Sequence, residues 1–368
     1  MRPVPSILTV PGAVLRPTRP GEKGPFAQVC GVFGPDGQPI PAAQTTGRIG
    51  GLCLPCRFPG HWPAPLPQRP GRWLFGGIGF HHFGHALIFS TSRLWALDHL
   101  SEPLDGILYL DRGTEGRTRP GTTRNLQDLL GLLGITLPVW TVGRDEQVGH
   151  LIVPDEGIAT AADLFDGTED YRRFIRGRIG DVGGTGGHPA VYVSRSGLGL
   201  RHAGLMFEDR IEALLAAAGY HIFHPERASL AEQIATYRGA SRIIGIDGSA
   251  MHLVAFAARP GAKVAVLGRR PFFAEAMASQ ISHFSGAVAT ALHPYRTVLV
   301  QQEHANAPDP WPWTHCLPDF PALGHSLTAA GLLAAGQGDW PDPNARDIQE
   351  RTDRIARRTR CLLVPLAR

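Results

Sequence analysis

The segment from Asp247 to His252 carries residue types that could bind an anion. It reads Asp-Gly-Ser-Ala-Met-His, follows the apolar run 243–246 and precedes a helical pattern. Glycine at 248 lets the backbone approach a ligand closely, and the N–H groups of a first helical turn attract an anion. Ser249 and His252 could each donate a hydrogen bond to a phosphate oxygen. The alternative is structural, with a tight turn at Gly248, an N-cap at Ser249 and a partly buried helical histidine.

A second group of possible anion ligands follows the strand predicted at 190–194. Arg195 and Arg201 flank a glycine-containing turn there, and the planar guanidinium suits the oxygens of a diphosphate. Ordinary surface arginines are the alternative. Ligands of open parallel sheets bind beyond the carboxyl ends of the strands. We therefore expect both turns to contribute to one site, although one Gly-Ser turn is neither a P-loop nor a dinucleotide fingerprint.

Histidines form a third candidate group, in the sequence "FHHFGHAL". His81 and His85 would lie one helical turn apart, as zinc ligands do, but the glutamate of the zinc hydrolase motif is absent. A histidine at the mouth of a cleft could instead act as a general base, and structural histidines are the alternative. Cys53 and Cys56 have redox or zinc-knuckle spacing without a second ligand pair, so we predict no metal.

The elements that must position these residues follow from the periodicity. Strands that alternate with short helices predict βαβ units and a parallel sheet beyond residue 190. Ser229 and Glu232 form a capping-box pattern. Before residue 190 we predict extended segments in the first seventy residues, a Gly-rich turn with a helix-like pattern from Trp73, a helix at 122–135 and a strand at 148–154. The predicted later strands are 190–194, 220–223, 242–246 and 263–267, and the helices are 207–218, 229–239 and 250–258.

The length of 368 residues favours two domains. Glycines between 183 and 187 interrupt the pattern and mark the boundary between them. We expect a proline-rich extension at 1–72 that packs on domain 1, which spans 73–182. Domain 2 spans 183–310, and a loop and a helix at 311–368 fold back on domain 1.

Composition excludes several classes of protein. A formal net charge of +4, with no basic block among aromatic residues, argues against a nucleic-acid partner. No apolar stretch approaches the roughly 18 residues of a membrane span, and prolines interrupt the N-terminus, so we expect a cytoplasmic protein. Six arginines lie between Arg346 and Arg360. They predict a solvated helix, with peripheral association with a membrane surface as the alternative.

Several motifs occur in an order that resembles glycosyltransferase family 61, in particular its bacterial capsular-polysaccharide type. They are "FGHALIFSTSRLWALD", "HLIVP", "VYVSRSG" and "GIDGSAMH". The resemblance covers residues 73–267, and its most specific parts are Ser194-Arg195, Glu232-Gln233-Ile234 and the turn 245–250. It implies an α/β, GT-B-like architecture of two Rossmann-like domains, with a parallel sheet in the C-terminal one. It also implies inverting, metal-independent transfer of a hexosyl or pentosyl group from a nucleotide-sugar donor to a glycan acceptor, without a cofactor.

The resemblance also implies roles for individual residues. It makes 73–182 the acceptor-side domain and 183–310 the nucleotide-sugar-binding domain. His85 matches the family's Gly-His position as a base or acceptor-site residue. Many family members have histidine where this chain has Asp247, which we expect to bind a sugar or ribose hydroxyl or to serve as the base. The donor-binding set is Arg195, Arg201, Gln233, Gly248, Ser249, Ala250 and His252.

Some alternatives remain open at the sequence level. Gln233 could reach the nucleotide or sugar, or it could belong to a helix N-terminal hydrogen-bond network. The chain could also be a non-catalytic nucleotide- or sugar-binding module, or a nucleotide-sugar epimerase or hydrolase on the same scaffold, because a fold alone does not give activity.

Overall fold

The computed structural model describes residues 5–17, 31–46, 52–53, 62, 65–111, 121–159, 164–180, 187–199, 203–269, 273–293, 295–307 and 310–366. The chain divides into two compact units, Met1–Val182 and Gly183–Arg368. No helix among these described residues is both long and apolar enough to cross a membrane.

The first unit is built on a mixed sheet. Within its described residues, six strands run in the order β2-β1-β8-β5-β6-β7. β1 is antiparallel to both of its neighbours, whereas β8, β5, β6 and β7 are mutually parallel. The elements are β1 Ile7–Arg16, β2 Gly31–Phe33, β3 Thr45–Thr46, β4 Leu52–Cys53, β5 Gln68–Gly79, α1 Phe83–His85, β6 Gly106–Asp111, α2 Thr122–Leu132, β7 Val139–Val142, β8 Glu146–Pro154 and α3 Glu169–Gly180.

The prediction of a Gly-rich turn after Trp73 was wrong. This segment belongs to β5, which lies between β8 and β6 and is buried from Trp73 onward. Gly76 serves packing there, because the ring of Tyr109 occupies the space that a Cβ at 76 would need. β1 lies between β2 and β8 in this sheet. The predicted helix at 122–135 and strand at 148–154 are confirmed as α2 and β8, with shifted ends.

The second unit contains the predicted parallel sheet. Among its described residues, five strands run in the order β11-β9-β12-β13-β14, and all neighbours are parallel. The predicted strands and helices up to 267 are confirmed, and so is the capping box of Ser229 and Glu232. The elements are β9 Ala190–Val193, β10 Gly204–Leu205, α4 Glu208–Ala217, β11 His221–Phe223, α5 Leu230–Gly239, β12 Arg242–Ile246, α6 Ser249–Ala257, β13 Lys263–Leu267, α7 Phe273–Ser285 and β14 Val288–Leu292.

Among its described residues, the segment 311–368 contains strands and two α-helices rather than the predicted loop and single helix, and it contributes to the core of the second unit. Leu323 and Ile355 join this hydrophobic core, and Arg351 Nη2 donates to Asp209 Oδ2 at 2.7 Å. The expectation that the segment also packs on domain 1 stays a prediction. A second sheet runs β10-β16-β15-β17. The elements are β15 Tyr295–Gln301, β16 Thr314–Pro318, α8 Phe320–Ala329, α9 Ala345–Thr359 and β17 Leu363–Pro365.

Candidate functional site

The parallel sheet of the second unit has a topological switch point between β9 and β12. If the strands are numbered by their order in the chain, they lie side by side as 2-1-3-4-5. The connection that follows β9 therefore leads to one side, and the connection that follows β12 leads to the other. In such sheets a ligand binds at the carboxyl ends of the two strands that flank the reversal. Arg195 follows β9 and Gly248 follows β12. The fold therefore brings together the two turns that the sequence singled out.

Arg195 lies directly against Gly248. A Cβ added at Gly248 would stand 2.5 Å from Arg195 Nη1, so the guanidinium would have to shift to admit any side chain. The φ angle of Gly248 is 167°. This is extended backbone that any residue adopts, so the conformation does not demand glycine. Glycine instead leaves room for the guanidinium of the half-buried Arg195, which occupies the space that a Cβ at 248 would need.

The amino end of α6 begins at this contact. Gly248 is the N-cap residue and supplies no side-chain cap. Ser249 is thus the first helical residue rather than the N-cap that the structural alternative proposed. Ser249 and Ala250 are both half-buried. First-turn N–H groups have no partner inside a helix and lie at its positive end. With Arg195 beside them, they form a site of the kind that binds a phosphate group.

Two acidic side chains of α4 accept hydrogen bonds from the segment that carries Arg195. Glu208 Oε1, at the start of α4, accepts from the Arg195 N–H at 2.7 Å and from the Tyr192 hydroxyl at 3.1 Å. Glu212 Oε1 accepts from Ser194 Oγ at 2.5 Å and from Ser196 Oγ at 2.6 Å. Sequence reasoning missed both acids, although their i,i+4 spacing on α4 indicates one helical face.

The environment of Glu208 changes its acidity. The residue is only 7 % exposed. Burial raises its pKa from 4.5 to about 7, and the hydrogen bonds from the Arg195 N–H and the Tyr192 hydroxyl oppose part of that rise. A carboxyl group that binds a proton near neutral pH therefore lies directly behind the Arg195 backbone.

Asp247 is fully buried and faces another arginine. Its Oδ1 lies 2.9 Å from Arg269 Nε, and its Oδ2 accepts from the Arg269 backbone N–H at 3.2 Å. Arg269 follows β13, the strand next to β12, and sequence reasoning missed it. These contacts favour a positioning role for Asp247. Its assignment as a base or a sugar ligand stays a prediction.

Three other predicted donor ligands differ in their surroundings. His252 is 5 % exposed, and its Nδ1 lies 2.7 Å from Gln280 Oε1 on α7. The Gln233 amide donates to the carbonyl oxygens of Pro225 at 2.9 Å and Ala228 at 3.2 Å. This is the helix N-terminal network that the sequence left open as an alternative for Gln233. Arg201 lies outside the described residues.

A cavity of ≈ 170 Å³ opens beside Arg195. Its lining includes Phe207 and Glu208 at the amino end of α4, and His315 on β16. His315 is 3 % exposed. Burial lowers its pKa to about 4, with a further contribution from the charge of Arg269. The imidazole is therefore neutral at physiological pH. Sequence reasoning did not single out His315, because nothing local marks it.

His85, the predicted base, belongs to the first unit. It ends α1, just beyond the carboxyl end of β5, and is half-exposed. Its ring centroid lies 4.7 Å from that of His82 and 5.3 Å from that of Phe80. In the part of the chain that the structure describes, no group of three or more His, Cys, Asp or Glu side chains is placed to hold a metal ion. Cys56, half of the Cys-x-x-Cys pair, lies outside that part.

The architecture and the site together fit an α/β glycosyltransferase. The family model described as Glycosyltransferase 61 matches residues 83–265, almost half of the chain. This match supports glycosyltransferase family 61 and confirms the resemblance at the level of the family. The matched range includes His85 and the turns that carry Arg195 and Gly248, whereas Arg269 and His315 lie beyond it. A search of curated proteins found no match.

Proposed function

We propose that this protein transfers a sugar from a nucleotide-sugar donor to a glycan acceptor and that the switch point of the second unit binds the donor diphosphate. The observation that carries the proposal is the contact of the Arg195 guanidinium with Gly248 at the amino end of α6. A cation beside helical N–H groups suits a diphosphate both in the bound donor and as the leaving group. The proposed donor set also includes Arg201, Gln233, Ser249, Ala250 and His252.

The proposed reaction is a single inverting displacement. The acceptor hydroxyl oxygen forms a bond to the anomeric carbon of the donor while the bond from that carbon to the diphosphate oxygen breaks. A base takes the hydroxyl proton, and the nucleoside diphosphate leaves with the bonding electrons. Arg195 and the first turn of α6 stabilise the charge that develops on the leaving group. This stabilisation supports metal-independent transfer.

We propose His85 as the base or acceptor-site residue. Its half-exposed ring follows a strand end, and histidine is the side chain that most often acts as a general base. Asp247 serves in this proposal to position Arg269. We also propose a GT-B arrangement of the two units, a cytoplasmic location and a role in capsular or other surface polysaccharide assembly, on the resemblance and the sequence patterns alone.

Thermal unfolding with nucleoside diphosphates and their sugars tests the donor site. A ligand at one hundred times its Kd stabilises the folded protein by about 2.7 kcal/mol, which raises Tm by several degrees. We expect this shift in the wild type and in the control Arg173→Ala, whose side chain is 65 % exposed on α3, but not in Arg195→Ala. A well-folded protein that no nucleoside diphosphate stabilises would contradict the proposal.

Transfer assays test the chemistry. Activity that survives chelation by EDTA, with inversion at the anomeric carbon, is the expected result. His85→Ala is expected to lower kcat while the Kd for the nucleoside diphosphate stays the same. Conversion of a nucleotide sugar without any acceptor would indicate an epimerase or a hydrolase instead.

A further inference from the structure

The cavity beside Arg195 has a composition unlike that of a phosphate site. The cavity has apolar walls formed by side chains that are at least nine-tenths buried, namely Leu205, Met206, Phe207 and Ile355. The cation Arg351 lines the cavity too, but it is ion-paired with Asp209 at 2.7 Å. Asp209 therefore compensates the charge of Arg351, and Glu208 contributes no positive charge that would favour a second phosphate group. An uncharged and largely apolar group therefore fits this space best.

His315 adds a polar group to these walls. Its Nε2 is buried and has no hydrogen-bond partner among the residues that the structure describes. A buried polar atom without a partner costs free energy that a suitable ligand recovers. A neutral imidazole donates from one nitrogen and accepts at the other. The hydrogen-bonding edge of a nucleobase likewise carries both donors and acceptors.

The position of the cavity relates it to the proposed diphosphate site. Arg195 lines the cavity and also lies over Gly248 at the amino end of α6. One residue therefore belongs to both places. A group bound in the cavity would lie next to a diphosphate at Arg195, as the nucleoside part of a nucleoside diphosphate must.

We propose that this cavity is the nucleobase subsite of the donor and that His315 makes the polar contact that recognises the base. The inference rests on the proposed function, because it takes Arg195 as the diphosphate ligand. It goes further by assigning Phe207 and its apolar neighbours to the base and by naming His315, which lies outside the family match, as a specificity residue.

Calorimetric titration of the full chain with two kinds of probe tests this assignment. Uridine, cytidine, adenosine and guanosine diphosphates report on both subsites, whereas inorganic pyrophosphate reports on the diphosphate site alone. The variants are His315→Leu, the conservative His315→Gln and Arg195→Ala. The control is His325→Leu, which removes a histidine that is 68 % exposed on α8.

We expect His315→Leu to weaken the best-bound nucleoside diphosphate about tenfold and to reduce the preference among the four bases, with pyrophosphate affinity unchanged. His315→Gln should recover part of the lost nucleoside diphosphate affinity. If His315→Leu does not fold, the test uses His315→Gln in its place. Arg195→Ala should weaken both kinds of probe, and His325→Leu neither. Unchanged nucleotide affinity in folded His315 variants, or equal losses for nucleotide and pyrophosphate, would overturn the inference. Failure of the wild type to bind any of these probes would overturn the proposed function itself.

Discussion

Replacement of Gly248 by alanine tests the anion site with one methyl group. The added Cβ would lie 2.5 Å from Arg195 Nη1, whereas ordinary van der Waals contacts begin at 3.4 Å. The guanidinium must therefore retreat by about 1 Å, which would break the proposed charge-assisted hydrogen bond to a diphosphate. Such a bond contributes about 1.5–3 kcal/mol, so we expect Gly248→Ala to weaken nucleoside diphosphate binding by roughly 10- to 100-fold.

The effect on stability should be small by comparison. The φ angle of 167° gives alanine no left-handed strain, and the group that must move is the end of a flexible side chain. Alanine is a poorer N-cap than glycine, which costs about 1 kcal/mol or less. Urea unfolding measures this cost beside the calorimetric Kd. Gly177→Ala on α3 is the control, because its Cβ would meet no atom within 4 Å.

A double-mutant cycle makes the Gly248 prediction refutable. If Gly248→Ala acts by displacing the guanidinium, it should change Kd little when Arg195 is already alanine. The coupling free energy should then approach the full effect of Gly248→Ala alone. Wild-type affinity in the single variant, or an equal loss in both backgrounds, would refute the reasoning.

Three further predictions concern stability. Glu208→Gln should raise the free energy of unfolding at pH 8.5 by up to about 3 kcal/mol but not at pH 4.5. The reason is that a pKa raised from 4.5 to about 7 makes the folded form lose stability as pH rises through 7. Equal shifts of the urea midpoint at both pH values would contradict this. Asp247→Asn should lower the free energy of unfolding by about 3 kcal/mol or more, since it leaves the Arg269 charge buried without its partner. Adding Arg269→Met to this variant should recover part of the loss. Losses that simply add in urea unfolding would contradict an interaction between the two residues. Gly324→Ala on α8 should lower Tm by many degrees, because the added Cβ would overlap a backbone carbonyl oxygen. The control Gly177→Ala should leave Tm equal or higher. Similar melting curves for both variants would show that α8 can move to make room for the Cβ.

Much of the second unit could be predicted because its signals are local. Short apolar runs bounded by turn residues gave the strands from 190 to 267, and the pair Ser229 and Glu232 fixed the start of α5. The prediction of a turn within β5 was wrong because glycine occurs both in turns and at positions where neighbouring strands pack closely. Gly76 makes room for Tyr109 on the neighbouring strand, and a local sequence pattern does not predict this contact.

The candidate site was predictable only in part, for a related reason. The turns after β9 and β12 have recognisable residues, and the switch point follows once the strands are placed in order. Arg269 follows β13 just as Asp247 follows β12, so the strand order would have predicted their contact. His315 is different, because β16 belongs to the second sheet of the unit. Its place beside Arg195 depends on how two sheets pack, which no local pattern encodes.

The acids at this site are best understood as supports for its cations. A carboxylate beside a bound diphosphate would oppose binding, but Asp247 is fully buried and its charge is compensated by Arg269. Glu208 accepts a hydrogen bond from the Arg195 backbone N–H, and the Arg195 guanidinium lies against Gly248. Donors that are fixed before the ligand arrives need little reorganisation as charge develops on a leaving group. This arrangement accounts for an aspartate at position 247, where the resemblance to glycosyltransferase family 61 implies histidine in many members, without assigning it any role in proton transfer.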